Sequence, residues 1–86
     1  MNRGKLLRRL AGGALNNVAF RDMIQLAKGF GFRIIRVSGS HHILGHPRVP
    51  EFINLQNVGG QAKPYQIRQF LRLVERYNMS LVADGE

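Results

Sequence analysis

The sequence predicts an α+β fold in which two helices cover one face of a three-stranded antiparallel sheet, a two-layer αβββα sandwich. Two apolar stripes with helical spacing lie toward the two ends of the chain. The segment between them is rich in β-branched and aromatic residues, which favour strands. The links between these strands are short, which requires antiparallel pairing. With 86 residues, the chain has room for one domain and one core between sheet and helices.

The first helix is predicted to begin at Phe20 and to extend to about residue 30. Its apolar stripe has the i, i+3, i+4, i+7 spacing of one helix face and consists of Phe20, Met23, Ile24 and Ala27. Gly29 ends the helix, and Gly31 allows a tight connection to the first strand because glycine accepts a positive φ. Phe30 and Phe32, on either side of Gly31, are expected in the core.

Three strands follow, over residues 32–37, 41–46 and 51–56. A tight turn at Ser38-Gly39-Ser40 joins the first two strands into a hairpin, since glycine and serine are turn residues. Pro47 and Pro50 are expected to separate the second strand from the third, because proline cannot donate to a sheet ladder.

A polar, glycine-rich loop over residues 57–63 is predicted to lead into the last helix, over residues 64–77. Pro64 fits the first turn of that helix, and Asn78 is expected to end it. The apolar stripe consists of Ile67, Phe70, Leu71 and Val74. Double-stranded-RNA-binding domains have the same order of elements, although a shared fold does not by itself establish a shared function.

The pattern divides the chain into a basic N-terminal extension over residues 1–17, a folded domain over 18–80 and a C-terminal tail over 81–86. The extension contains four basic residues and no acidic one. Charges interrupt each of its apolar runs, which excludes a signal-peptide core and a membrane span. We therefore expect a short basic helix or arm without a consistent apolar stripe, whose removal costs little thermal stability.

The composition indicates a polyanionic partner. The chain has 13 Lys and Arg against 5 Asp and Glu, a net charge of +8, and ten of the basic residues are arginine. Arginine suits bidentate contact with phosphate, although solubility alone would also explain such a charge. The chain has no cysteine, which excludes disulfides and thiolate metal sites and suits a reducing compartment such as the cytoplasm.

All three histidines lie between His41 and His46. His41 and His42 are adjacent in a predicted strand, so their side chains point to opposite faces and cannot share a metal ion. His42 and His46 share a face but lie about 13 Å apart at strand spacing, too far for one ion. A nucleophilic triad is also disfavoured, because there is no cysteine and neither Asp22 nor Asp84 lies close in sequence to a histidine. We expect no metal site.

Cleavage of RNA needs fewer protein groups than a metal site or a nucleophilic triad, because the 2′-hydroxyl of the substrate is the nucleophile. One histidine can transfer the proton, since the ordinary pKa of imidazole is about 6.5. Backbone N–H groups at Gly39 and Ser40, together with Lys63 or an arginine, would hold the phosphate oxygens. No cofactor is required. The alternative is that the histidines lie on a solvated strand and that Lys63 and the arginines form an ordinary charged surface.

Several motifs together resemble the HicA toxin family of bacterial toxin–antitoxin systems. They are Gly31-Phe32, Gly39-Ser40-His41-His42, His46-Pro47 and Lys63-Pro64. The resemblance covers about residues 18–80. The segment from Asn54 to Gln69 resembles a longer HicA-like subgroup. Many members carry another histidine at the end of the third strand, where this chain has Leu55-Gln56.

The resemblance implies the toxin of a type II toxin–antitoxin system, a cytoplasmic, metal-independent mRNA endoribonuclease with the αβββα sandwich, inhibited by a HicB-like antitoxin. The catalytic histidine of the family follows Gly-Ser, which is His41. The residues expected to contact the RNA are Gly39, Ser40, His42, Lys63 and Arg68. Two alternatives remain: a non-catalytic RNA-binding module of the same fold, and a subunit that only binds a HicB-like partner. His41 favours catalysis, since phosphate binding alone would accept Lys or Arg at this position.

Overall fold

The computed structural model describes residues 2–81 of the chain. This part contains three helices and four strands. They are α1 (Arg3–Ala11), α2 (Phe20–Gly29), β1 (Arg33–Ser38), β2 (His41–His46), β3 (Val49–Val58), β4 (Gln61–Ala62) and α3 (Pro64–Arg76). The strands form one antiparallel sheet in the order β1-β2-β3-β4. The α+β class and the antiparallel sheet are as predicted. None of the helices in residues 2–81 is long and apolar enough to cross a bilayer.

The core lies between one face of the sheet and the helices. Leu44 pairs with Ile53 across β2 and β3, and Leu55 lies two residues further along β3, so all three share this face. Each is at most 2% exposed. From the helix side, the ring of Phe70 in α3 lies 5.4 Å from that of Phe30 and 5.8 Å from that of Phe32. We call this the covered face, and the opposite side of the sheet the helix-free face.

The predicted ends of the two main helices are confirmed. α2 ends at Gly29, and Gly31 has a φ of +99°. A Cβ at Gly31 would also lie 2.9 Å from Nε2 of His46, so both conformation and space require glycine. α3 begins at Pro64, and Asn78 just beyond its end has a φ of +51°.

The third strand begins earlier than predicted, at Val49, and contains Pro50. Val49 pairs with His46, which closes a two-residue turn at Pro47-Arg48. The prediction that Pro50 separates the strands is wrong, because Pro50 lies beside the irregularity in pairing between Leu44 and His46. A bulge of this kind accepts proline, and β4 pairs only with the far end of β3, so the missing N–H interrupts no ladder.

The predicted loop over residues 57–63 is largely ordered into a second hairpin. β3 continues to Val58, Gly59 and Gly60 form the turn with φ values of +60° and +85°, and β4 follows. Positive φ at both central residues is the geometry of tight hairpin turns. The carbonyl of Gly60 accepts a 2.8 Å hydrogen bond from the N–H of Phe20, which ties this hairpin to the start of α2.

The N-terminal extension packs into the core, so the expectation that it lacks an apolar stripe is wrong. Leu6 and Leu10 of α1 are each 1% exposed, and their i, i+4 spacing is sufficient because α1 lies against α2. Arg3 Nε donates a 2.8 Å hydrogen bond to the carbonyl of Gln25 in α2. The division of the chain into residues 1–17 and 18–80 stays a prediction. In the structure, Leu6 and Leu10 belong to the same core as the residues of 18–80.

Of the predicted C-terminal tail, only Leu81 belongs to the described residues, and residues 82–86 lie outside them. Leu81 is half-buried and packs against the core. Its side chain approaches Gly29 so closely that a Cβ there would lie 2.8 Å from it, and equally close to the side chain of Arg3. Gly29 therefore allows the side chains of Arg3 and Leu81 to meet on α2.

Candidate functional site

Alternation along β2 separates the two adjacent histidines, as predicted. The ring of His42 lies on the covered face, with its centroid 4.7 Å from that of Phe20 in α2. His41 lies on the helix-free face, where its Nδ1 is 3.2 Å from Oδ1 of Asn54. His42 thus has an aromatic partner from the helix layer, and His41 has a polar partner from the neighbouring strand.

The turn before His41 is anchored to β3. Gly39 has a φ of +60°, and a Cβ built on it would meet nothing within 4 Å. The hydroxyl of Ser40 accepts a 3.2 Å hydrogen bond from the side-chain amide of Gln56, and its carbonyl accepts one of 2.9 Å from the N–H of Asn57. The turn is therefore held by its second serine, while its tip is open to a ligand.

Two amide side chains that the sequence analysis did not identify as site residues flank His41 on β3. Gln56 pairs directly with His41, and Asn54 pairs with Ile43, so Asn54 is the diagonal neighbour of His41. Both are partly buried. The register of the hairpin brings them beside His41, and no local sequence pattern signals it.

A buried glutamine connects this strand to α3. Gln66 is 1% exposed, and its Oε1 accepts a 2.7 Å hydrogen bond from the N–H of Gln56. A buried polar side chain is stable only when it is paired. Gln66 therefore holds β3 against the start of α3 at the level of His41. In the sequence, the signal for the burial of Gln66 was its position next to Ile67 in the apolar stripe of α3.

Arg36 contributes positive charge to the helix-free face. It pairs with Ile43, and Ser38 pairs with His41, so Arg36 and His41 stand on the same face of adjacent strands. Arg36 is exposed. Ile35, in the bulge beside it, and Phe52 also lie on this face, where both approach Gly45.

The other predicted site residues are His42, Lys63 and Arg68. Lys63 precedes α3, and its Nζ lies 5.7 Å from the ring centroid of Tyr65. Arg68 is exposed on α3, which packs on the covered side of the sheet, so Arg68 and the His41 ring stand in different layers. Nδ1 of His42 lies 3.3 Å from the carbonyl of Ser40. The structure thus groups Gly39 and Ser40 with His41 and places Arg68 in the helix layer, while the role of Lys63 stays a prediction.

His46, at the far end of β2, contacts the backbone of the following turn and an aromatic ring of the core. Its Nδ1 accepts a 3.0 Å hydrogen bond from the N–H of Arg48, and its ring centroid lies 5.2 Å from that of Phe32. It lines a cleft of about 460 Å³ between the β2–β3 turn and the end of α3, at the opposite end of the strand from His41. Within residues 2–81, no three His, Cys, Asp or Glu side chains are arranged to hold a metal ion.

Comparison with known proteins gives one match. Residues 20–75 match the model of a protein family described as the HicA toxin of bacterial toxin–antitoxin systems. The matched region runs from the start of α2 nearly to the end of α3, so it contains the turn, His41 and Asn54. No curated protein and no solved structure matches the chain.

Proposed function

The chain belongs to the HicA toxin family, and from this premise we propose that it is a metal-independent endoribonuclease that cleaves mRNA with His41. The observation that supports this proposal best is the position of His41. It is a partly buried imidazole that follows an open glycine turn, stands on the face without helices and contacts one polar side chain, Asn54. Membership of a toxin–antitoxin family also implies an antitoxin partner, and we propose a HicB-like protein in the cytoplasm.

The proposed reaction is an intramolecular transesterification. The 2′-oxygen of the RNA attacks the adjacent phosphorus, a 2′-O–P bond forms and the P–O5′ bond breaks. His41 accepts the proton of the 2′-hydroxyl as general base, and the leaving 5′-oxygen takes a proton from water. The hydroxide that remains takes the proton from the His41 imidazolium, which restores the free base. The products are a 2′,3′-cyclic phosphate and a 5′-hydroxyl. Because RNA supplies the nucleophile, neither a metal ion nor a cofactor takes part.

The phosphate charge needs stabilisation on the same face. We propose that the backbone N–H groups at Gly39 and Ser40 bind the non-bridging oxygens, and that Arg36 adds positive charge beside them. Lys63 and Arg68 would contact the RNA further from the cleaved bond, at the start and on the exposed surface of α3. His42 would act on the substrate only indirectly, since its Nδ1 lies next to the carbonyl of Ser40.

The test is cleavage of an mRNA by the purified protein in EDTA. We expect products with 2′,3′-cyclic phosphate ends, and a loss of about 10²–10⁴-fold for His41→Gln, the usual contribution of proton transfer. His46→Gln is the matched control, because His46 lies on the same strand and its ring contacts the N–H of Arg48 and the ring of Phe32. Circular dichroism verifies folding. Full activity of folded His41→Gln, or activity of the wild type that EDTA removes, would contradict the mechanism.

A non-catalytic RNA-binding module is the second candidate, and Gln56 favours it. Many HicA proteins carry another histidine at the end of the third strand, where this chain has Leu55-Gln56, and Gln56 pairs with His41. Both candidates predict that RNA binding weakens steeply between about 50 and 200 mM salt, because arginine and lysine contacts release counterions from phosphate. Cleavage distinguishes them: a wild type that binds RNA and never cleaves it supports this second candidate.

A further inference from the structure

The imidazole of His41 has a hydrogen-bond partner on the neighbouring strand. Its Nδ1 lies 3.2 Å from Oδ1 of Asn54, within hydrogen-bond distance. An amide oxygen only accepts, so the ring nitrogen that faces it carries the hydrogen. The other amide on this face, Gln56, is engaged with the hydroxyl of Ser40.

The backbone of Asn54 is well fixed. Its neighbours Ile53 and Leu55 are 2% and 0% exposed and point into the core, and β3 is paired with β2 along this stretch. The amide therefore projects to the helix-free face from a rigid strand. A group held in this way can define the orientation of a ring with little loss of conformational entropy on substrate binding.

We propose that Asn54 is a positioning residue for His41, which holds the imidazole in the Nδ1–H tautomer and leaves Nε2 as the nitrogen that exchanges the proton. The tautomer of a histidine is set by the hydrogen bond that its other nitrogen makes. Nothing in the chain sequence near His41 indicates this role, since Asn54 is 13 residues away. The inference deepens the proposed ribonuclease function and rests on it for its effect on rate.

The direct test is long-range ¹H–¹⁵N NMR of the His41 ring, at a pH where the imidazole is neutral. We expect the Nδ1–H tautomer in the wild type and a shift toward Nε2–H in Asn54→Leu. Gln56→Leu is the matched control, because it removes an amide from the same face of the same strand that bonds the hydroxyl of Ser40 and not a ring nitrogen of His41. It should leave the tautomer unchanged. Nε2–H in the wild type, or an unchanged spectrum in Asn54→Leu, would overturn the proposal.

Kinetics test the effect on rate. Asn54→Leu should lower kcat by about 10- to 100-fold, as loss of the partner that orients a metal-bound histidine does, with KM nearly unchanged. Asn54→Asp should restore the tautomer, because a carboxylate oxygen also accepts. It should also move the rise of the pH–rate profile to higher pH, since a negative charge favours the imidazolium over the basic form. An unchanged kcat in Asn54→Leu would overturn the positioning role.

The two measurements keep this inference and the proposed function separate. The NMR experiment needs no substrate, so it decides the tautomer even if the protein cleaves no RNA. If the tautomer depends on Asn54 but the folded His41→Gln protein still cleaves RNA, the proposed function fails and the hydrogen bond stands. If Asn54→Leu does not fold, the tautomer of the wild type and of Asn54→Asp still decides the question.

Discussion

The two faces of the sheet differ in what covers them, and the difference assigns the histidines. On the covered face, Leu44 and Leu55 are fully buried, and His42 lies against an aromatic ring of α2. On the helix-free face, Phe52 is 68% exposed, and His41 lies within hydrogen-bond distance of Asn54 on the neighbouring strand. The same residue type therefore packs against a helix on one side of the sheet and stands on the side without helices on the other.

This comparison shows that adjacency in sequence says little about shared function within a strand. His41 and His42 differ by one position, and strand geometry turns that into opposite faces. A histidine against an aromatic ring is best explained by packing, whereas one beside an amide oxygen has a defined proton position. The partners of each ring, more than its place in a motif, indicate its role.

The largest expected effect is on stability, and it tests whether the faces differ as described. Leu55→Ala should cost about 3–5 kcal/mol, because a fully buried leucine leaves a cavity between sheet and helices. Phe52→Ala on the same strand should change the free energy of unfolding by less than about 1 kcal/mol, since most of its ring is exposed. Urea denaturation of both variants measures the difference. Equal losses would show that the helix-free face is also covered.

A somewhat smaller effect is expected from α1, which lies behind the helices of the covered face. Leu6→Ala should destabilise the protein by about 2–3 kcal/mol, the lower part of the range for buried leucines, because a terminal helix can shift to fill the cavity. Lys5→Ala, on the exposed side of the same helix, should have an effect within about 0.5 kcal/mol. Thermal melts compare the two. If Leu6→Ala matches Lys5→Ala, the N-terminal segment contributes little to stability, as the sequence analysis expected.

His42→Ala should reduce stability by about 1 kcal/mol, the scale of an aromatic pair, because it removes the ring that packs on Phe20. Cleavage per folded molecule should fall much less than in His41→Ala. His41→Ala should show the reverse, with a small change in stability and a large loss of activity. Denaturation and RNA cleavage are measured on both. Similar losses of activity with intact folds would place both rings in the reaction.

The smallest effect concerns a polar cluster at the edge of the covered face. Tyr77 donates a 2.7 Å hydrogen bond to Glu51, and Arg76 pairs with the same carboxylate at 2.9 Å. The hydrogen bond from Tyr77, with help from Arg76, holds the pKa of Glu51 below its ordinary value of 4.5. The same hydrogen bond raises the pKa of Tyr77.

A carboxylate with a lowered pKa stabilises the fold at neutral pH, and this contribution is lost as the pH falls below the ordinary value of 4.5. Tyr77→Phe should therefore lower the melting temperature slightly at neutral pH, and the difference should shrink in acid. Tyr65→Phe is the control, because Tyr65 has no carboxylate partner in the described residues and should show no such pH dependence. A constant difference for Tyr77→Phe would mean that the carboxylate is not involved.

The sequence-based prediction succeeded where the signal is local and failed where a tertiary contact decides the structure. α2, α3 and β2 were predicted nearly to the residue, because long apolar stripes and turn residues are local signals. α1 was misjudged since only two leucines per two turns are needed when another helix supplies the rest of the core. β4 was missed because two residues are too few to show a periodic pattern. Pro50 was wrongly expected to separate two strands, because the sequence does not show the bulge that accepts it.

The sequence alone determined the fold class and the separation of His41 from His42, since both follow from periodicity. It also indicated the family, through several short motifs that resemble those of its members. Tertiary structure alone decided which residues surround His41. The register of the β2–β3 hairpin places Asn54 against the ring and Gln56 against Ser40. That choice depends on which strand positions face each other, and a shift of one residue would reverse the faces of the whole strand.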